Sequence, residues 1–207
     1  MSSDGRDTRW EQHRVDRRRE LVSHALRAIR AHGPGVAMED IAARAGTSKT
    51  VIYRHFGDRA GLYGAIVDAV HDYIHAGLTN ALELTDPADL GRMAGDLADA
   101  YLGLVERDPH IYRFVLAAPA VQGQPDSDPA GPLPGIMGRH VSAAIGERLE
   151  LSGLDASSAP IWGHGLVGFI RAAADQWMEA DPRPPRAEVV AHITALFTPG
   201  FKGALAH

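Results

Sequence analysis

Lys49, Thr50, Tyr53 and Arg54 stand close together in the chain and share one competence. An ammonium, a guanidinium and two hydroxyls donate hydrogen bonds to phosphate oxygens and to the edges of bases. Thr47 and Ser48, just before them, add two short hydroxyls. The chain's other chemistry-bearing residues point elsewhere. His71 and His75 lie four apart, a spacing that puts two imidazoles on one helical face, with Asp68 or Asp72 as a possible oxygen donor. No HExxH pattern occurs and no third ligand follows from spacing, so both histidines are expected on a solvated face and no metal is expected. There are no cysteines, which removes disulfides, thiolate metal sites, cysteine nucleophiles and thiol redox sensing together. No glycine-rich phosphate loop, GxSxG elbow or EF-hand ligand series is present, so the chain is expected to be no enzyme and to carry no cofactor.

A donor set of this kind needs a rigid element to hold it. In residues 38–56, MEDIAARAGTSKTVIYRHF, two segments too short to be stable helices alone flank a turn. Ile41 and Ala45 face inward on the first, and Val51, Ile52 and Phe56 on the second. Ala42 leaves room for close approach, Gly46 supplies the left-handed conformation that swings the chain, and Ser48 is placed to cap the next helix. Lys49, Thr50, Tyr53 and Arg54 then project outward. These are the mechanics of a helix-turn-helix reader; a plain helical hairpin with small residues at its turn is the competing reading.

The remainder is helical in pattern, and the fold class is all-α. Leu21, Val22, Ala25, Leu26 and Ile29 repeat at helical spacing until Gly33, Pro34 and Gly35 stop them. Asp58 is a candidate cap for a long fourth helix carrying Leu62, Ile66, Val70, Tyr73, Ile74, Leu78 and Leu82. Asp86 and Pro87 begin a fifth, and Asp108 and Pro109 a sixth. Residues 119–134, dense in Pro, Gly, Asp and Ser, read as a loop; helices follow at about 136–151 and 160–180, and a last one after 182–185. The expected organisation is a flexible charged tail at 1–15, a DNA-binding unit at 16–62 and a larger helical body at 63–207. Arg6, Arg9 and Arg14 would let the tail reach a minor groove, but Asp4, Asp7 and Glu11 dilute its charge.

Charge follows the same division. The whole chain of 207 residues carries −5, yet residues 1–65 hold 12 Lys+Arg against 8 Asp+Glu, and residues 66–207 hold 9 against 18. A basic first third on an acidic remainder suggests that only the first part meets a polyanion. Arg17, Arg18 and Arg19 as a solvated helix start explain the same excess without DNA. With 45% apolar and 23% charged residues, no apolar run long enough to span a bilayer, and a charged start, the chain is expected to be cytoplasmic with no membrane partner.

The stretch DIAARAGTSKTVIYRHFGDRAGLYGAIV resembles the signature of the TetR family, with Tyr53, His55, Phe56, Arg59 and Leu62 at its spaced positions, and the similarity covers residues 17 to about 70. The resemblance implies a recognition helix from Ser48, with Lys49, Thr50 and Tyr53 nearest the bases and His55 and Arg59 towards phosphate. It also implies a homodimer formed through the C-terminal helices, bound to double-stranded operator DNA. Val51 and Ile52 stand where the family commonly has Thr-Leu, removing a hydroxyl. Arg59 stands for a usual lysine and Thr50 for a usual Gly or Pro, whose added methyl can touch thymine.

In the body, Gly163, Gly165 and Gly168 lie in the apolar stretch PIWGHGLVGFIRAAADQWMEADP, which resembles the C-terminal helix of one TetR subgroup. They permit close helix approach. The dimer seam is expected at Leu166, Ile170, Ala174, Trp177, Ile193 and Leu196, each of which monomer packing would explain equally simply. A pocket for an unidentified small-molecule effector is expected among Met93, Leu97, Tyr101, Tyr112, Phe114, Met137, His140, Trp162, His164 and Phe169, with the two histidines as polar handles. The expected mechanism is a repressor that grips a palindromic operator as a dimer and is released when the effector shifts the fourth helix. The rivals are a helical binding protein or enzyme whose first unit only packs, and a nonspecific DNA-organising protein.

Overall fold

Helices form where the apolar period is near 3.6, and Gly33, Gly46, Gly57 and Gly153, all with positive φ, stand just beyond helix ends. The computed structural model describes residues 4–84, 89–121 and 133–204, and among these every regular element is a helix. In chain order they are α1 (Asp4–His32), α2 (Met38–Arg44), α3 (Lys49–Phe56), α4 (Arg59–Leu84), α5 (Leu90–Arg107), α6 (Pro109–Val121), α7 (Leu133–Leu151), α8 (Ala159–Glu179) and α9 (Arg186–Ala204). None of the described helices is long and apolar enough to cross a membrane.

The chain divides into two compact units. The first spans residues 1–71 and 108–129, the second 72–107 and 130–207, each to the extent described. The expected boundary at 62/63 therefore falls inside α4, and α6 belongs with the first unit rather than with the body. α6 is fixed there by a bidentate ion pair, Arg30 Nε and Nη2 donating to the Asp108 carboxylate at 2.6 and 3.0 Å, and by Phe114 packed 4.8 Å from the Tyr63 ring. Neither contact is visible in local spacing. α1 starts at Asp4, so residues 4–15, expected as a flexible tail, continue that helix; Gln12 donates to Asp16 one turn on. Of the expected loop at 119–134, residues 122–132 lie outside the described residues, as does the expected helix start at Asp86 and Pro87; 119–121 and 133–134 are helical.

In the first unit α1 packs on α2 and α3, and Leu21, Ala25, Ala28 and Ile29 of α1, Ile41 of α2, Ile52 of α3, and Leu62, Tyr63 and Ile66 of α4 are all buried. Seven and eight residues of α2 and α3 cannot hold a helix in water, so this burial, worth about 1.5–3 kcal/mol per large side chain, is what forms them.

In the second unit, α7 packs on α8 and α5 packs on α8 and α9. Small residues set the closeness. A Cβ at Gly91 would lie 2.6 Å from Thr198 Oγ1, and one at Gly163 would collide with Ser142 of α7. The hydroxyls at these seams are satisfied within their own helices. Ser142 Oγ donates to Gly138 O at 2.6 Å, Thr194 Oγ1 to Val190 O at 2.8 Å and Thr198 Oγ1 to Thr194 O at 2.7 Å. Of the three glycines expected to admit another helix, Gly163 admits α7 of the same chain, while Gly165 and Gly168 have nothing within 4 Å.

Candidate nucleic-acid interface and effector site

The turn between α2 and α3 is built by three residues. Gly46 takes φ +60°, a conformation costly for any residue with a Cβ, and Thr47 N donates back to Ala42 O at 3.0 Å. Ser48 is extended, and its side chain accepts from Val51 N at 3.3 Å, capping α3. Gly57, at φ +84°, closes the other end, and Asp58 Oδ1 accepts from Gly61 N at 2.7 Å to start α4. The outward face of α3 follows from this phase. Ile52 and Phe56 are buried, Val51 is half-buried, Lys49, Thr50 and Arg54 are exposed, and Tyr53 and His55 are half-buried at its edges.

Three side chains on or beside this face are tied down, and of their contacts only Arg59 with Tyr63, four apart on α4, follows from helical spacing. Lys49 Nζ pairs with Glu39 Oε1 of α2 at 2.5 Å. That hydrogen bond, with the charge behind it, holds the Glu39 carboxyl below its usual range and Lys49 above its own. Arg18 of α1 donates to the His55 carbonyl while its guanidinium lies 4.4 Å from the Phe56 ring centre, binding α1 to the end of α3. Arg59 donates to Tyr63 Oη at 3.0 Å and stacks over that ring at 5.0 Å; Tyr63 in turn donates to Val36 O at 3.4 Å. The guanidinium is thereby held at the exposed start of α4.

Around His55 the charge is of one sign. Partial burial, then Arg54, Arg17, Arg18 and Arg14, lower its pKa. Among the described residues no carboxylate pairs with Arg14, Arg18 or Arg54, whereas Arg17 pairs with Glu20 at 2.5 Å. A surface of exposed donors on a capped helix, with uncompensated guanidiniums beside it, suits a polyanion whose grooves admit a helix.

The candidate pocket residues separate into several places. In the second unit Leu97, Tyr101 and Met137 meet Leu78, Pro134, Val167, Ile170 and Arg171 around a cavity whose free volume, about 40 Å³, is a few water molecules' worth. Met93 is buried in the core and does not line it. Tyr112 and Phe114 are buried in the first unit, because α6 packs there. His140 is exposed, 5.0 Å from the His75 ring, and His164 is exposed with Nδ1 2.8 Å from Pro160 O, an anchor within its own helix. Trp162 and Phe169 line a separate open groove of about 580 Å³ between α8 and α9, with Ile161, Gly165, Leu196, Phe197 and Phe201. Sequence reasoning missed Leu78, Pro134, Val167, Ile170 and Arg171 as lining; the one-turn cluster of the last three on α8 was the available signal.

The expected seam residues divide by burial. Leu166, Ile170, Ala174, Trp177 and Ile193 are enclosed within the chain itself, and only Leu196 is exposed. Their apolar period serves the contacts among the chain's own helices. Ile161 and Phe169 are exposed beside that stripe; Ile161 carried no expectation, and Phe169 was expected in the pocket. The histidines of α4 differ too: His71 is buried, and Nε2 of His75 is enclosed with no hydrogen-bond partner among the described residues. No group of three His, Cys, Asp or Glu among the described residues is placed to hold a metal ion.

Comparison with known proteins adds independent findings. The model described as bacterial regulatory proteins, tetR family, matches residues 21–66, and the model described as tetracyclin repressor-like, C-terminal domain, matches residues 78–206. An HTH-type transcriptional regulator of Mycobacterium tuberculosis H37Rv is 32% identical over 95% of this chain and 82% of its own. The HTH-type transcriptional activator FasR of Mycolicibacterium smegmatis is 28% identical over 81% of this chain and 75% of its own. A TetR-family regulator from Pectobacterium atrosepticum has the same fold, with a TM-score of 0.67 at 24% identity over 95% of this chain and 97% of that one.

Proposed function

Because the chain belongs to the TetR family and is a DNA-binding transcriptional regulator, we propose that it acts in the cytoplasm as a homodimeric, effector-released repressor of a palindromic operator. The observation that carries this reading is the capped, outward face of α3. Lys49, Thr50 and Tyr53 meet base edges in the major groove, and Ser48, Thr47, Arg54, His55 and Arg59 hold phosphates on either side. Two such heads reach grooves about one helical turn apart only as a dimer. The exposed α8–α9 groove, with Ile161, Phe169 and Leu196 at its rim and Gly165 leaving space for an approaching helix, is the face we assign to the second copy.

The effector enters the cavity of the second unit. At its present volume that cavity excludes a small organic molecule, so binding requires α4, α5, α7 or α8 to move. α4 runs through both units, and its shift changes the spacing of the two reading heads. An effector acts this way only through unequal affinity for the operator-competent and incompetent forms. Apolar walls with Tyr101 and Arg171 at hand favour a largely apolar molecule with a polar end.

A reporter fused to the promoter beside the chain's own gene tests the regulatory sign. Repression predicts that deleting the gene raises expression and that restoring it lowers expression again. A fall on deletion makes the protein an activator, as the name of FasR records for that relative.

A further inference from the structure

Leu21 is the first residue of α1 that is buried in the core of the first unit, and Arg18, one turn before it, reaches the end of α3. The helix nevertheless begins at Asp4, and Trp10 to Arg14 are all exposed, Trp10 by 68%. Helical phase decides where this extension points. Trp10, Arg14, Arg18, Leu21, Ala25 and Ala28 follow at steps of three and four, so the extension's first face continues the face that packs on α2 and α3. Past the end of the core, that face becomes an exposed tryptophan and arginines, with Arg17 alongside. Asp16 and Arg19 occupy the opposite side; Glu20 pairs with Arg17 at one edge of the stripe, and Glu11, at the other edge, pairs with neither Arg14 nor Arg18.

The stripe adjoins the reading helix. Arg18 donates to the His55 carbonyl at the end of α3, and the charges of Arg14 and Arg17 are felt at the His55 ring. An exposed aromatic interleaved with guanidiniums, on the face that borders a DNA-reading helix, has the charge and chemistry of a backbone contact. We propose that the stripe Trp10, Arg14, Arg17 and Arg18 is a second DNA-binding surface, which grips the phosphate backbone beside the half-site read by α3 and lengthens the protected operator. It fixes register and adds affinity without reading sequence. The inference rests on the regulator reading above.

The test uses the full-length protein, a duplex it enriches from a randomised library, and the same duplex with its outer flanks trimmed. Arg14→Gln and Trp10→Ala change exposed side chains only. Arg14→Gln is expected to flatten the dependence of log K on log salt by about two units for a dimer, so that its deficit against the parent shrinks about tenfold between about 50 and 200 mM salt. Trp10→Ala is expected to shorten the hydroxyl-radical footprint at both ends, and trimming is expected to weaken the parent but not Arg14→Gln. Equal slopes and footprints, with Lys49→Ala still abolishing binding, would overturn this inference and leave the regulator reading standing. Enrichment of no duplex would overturn both. A changed oligomeric mass with an unchanged salt slope would make the stripe an interface between copies instead.

Discussion

Lys49 is tied to Glu39 before any DNA is present, so operator binding has to exchange one anion for another. Replacing the carboxylate by an amide releases the ammonium. Glu39→Gln is expected to tighten binding about twofold to fivefold at low salt, the range an exposed pair supports, and to raise affinity for scrambled duplex as well, measured by anisotropy titration. An unchanged affinity would mean that Lys49 does not face DNA. His55 supplies a pH dependence with a defined sign. Its pKa in the folded chain is lowered, first by burial and then by Arg54, Arg17, Arg18 and Arg14, so its contribution to stability is present above about pH 6.5 and is lost as pH falls through the lowered value. A phosphate beside the ring reverses the charge balance and raises the pKa in the complex. Operator binding is therefore expected to take up protons and to tighten as pH falls through the imidazole range, within the pH interval where the fold stays intact. His55→Gln is expected to flatten both curves, read by thermal unfolding and by binding across a pH series.

At the level of elements, the α7–α8 seam rests on residues that have no side chain to spare. Gly163→Val drives methyls into Ser142 and is expected to cost about 1–3 kcal/mol, seen as a lower thermal midpoint. Gly168→Ala, on the same helix but with nothing within 4 Å, is expected to be neutral or stabilising by up to about 1 kcal/mol. The contrast shows where sequence was informative. Gly46, Ser48 and the outward face of α3 were legible because turn chemistry and helical phase are local. The partners of Leu166, Ile170, Ala174, Trp177 and Ile193 were not, since an apolar period reports that a face is covered and not what covers it. The same limit hid α6 in the first unit. Arg30 and Asp108 are far apart in sequence, and nothing near either one announces the other. Of the cavity's lining, Leu97, Tyr101 and Met137 were legible, whereas only long-range packing brings Leu78, Pro134, Val167, Ile170 and Arg171 to them.

For the whole molecule, reading and assembly stand or fall together. Phe169→Glu with Leu196→Glu places like charges on the exposed α8–α9 face without touching the buried core, and is expected to halve the mass measured by sedimentation and to weaken operator binding at least about tenfold, the loss expected when two linked contacts become one. A dimer that survives both charges would move the seam elsewhere. The basic first third and acidic remainder fit this division of labour, since only one part of the molecule is required to approach phosphate. The most direct test of the account is binding of the purified protein to the intergenic DNA beside its own gene, across a salt series, against a scrambled duplex and with the Lys49→Ala, Tyr53→Ala double variant alongside. The account predicts tight binding of the parent to one fragment, lost in the variant while its fold and mass are unchanged. Equal binding of parent and variant to that fragment would contradict it, because α3 would then not be the element that reads DNA.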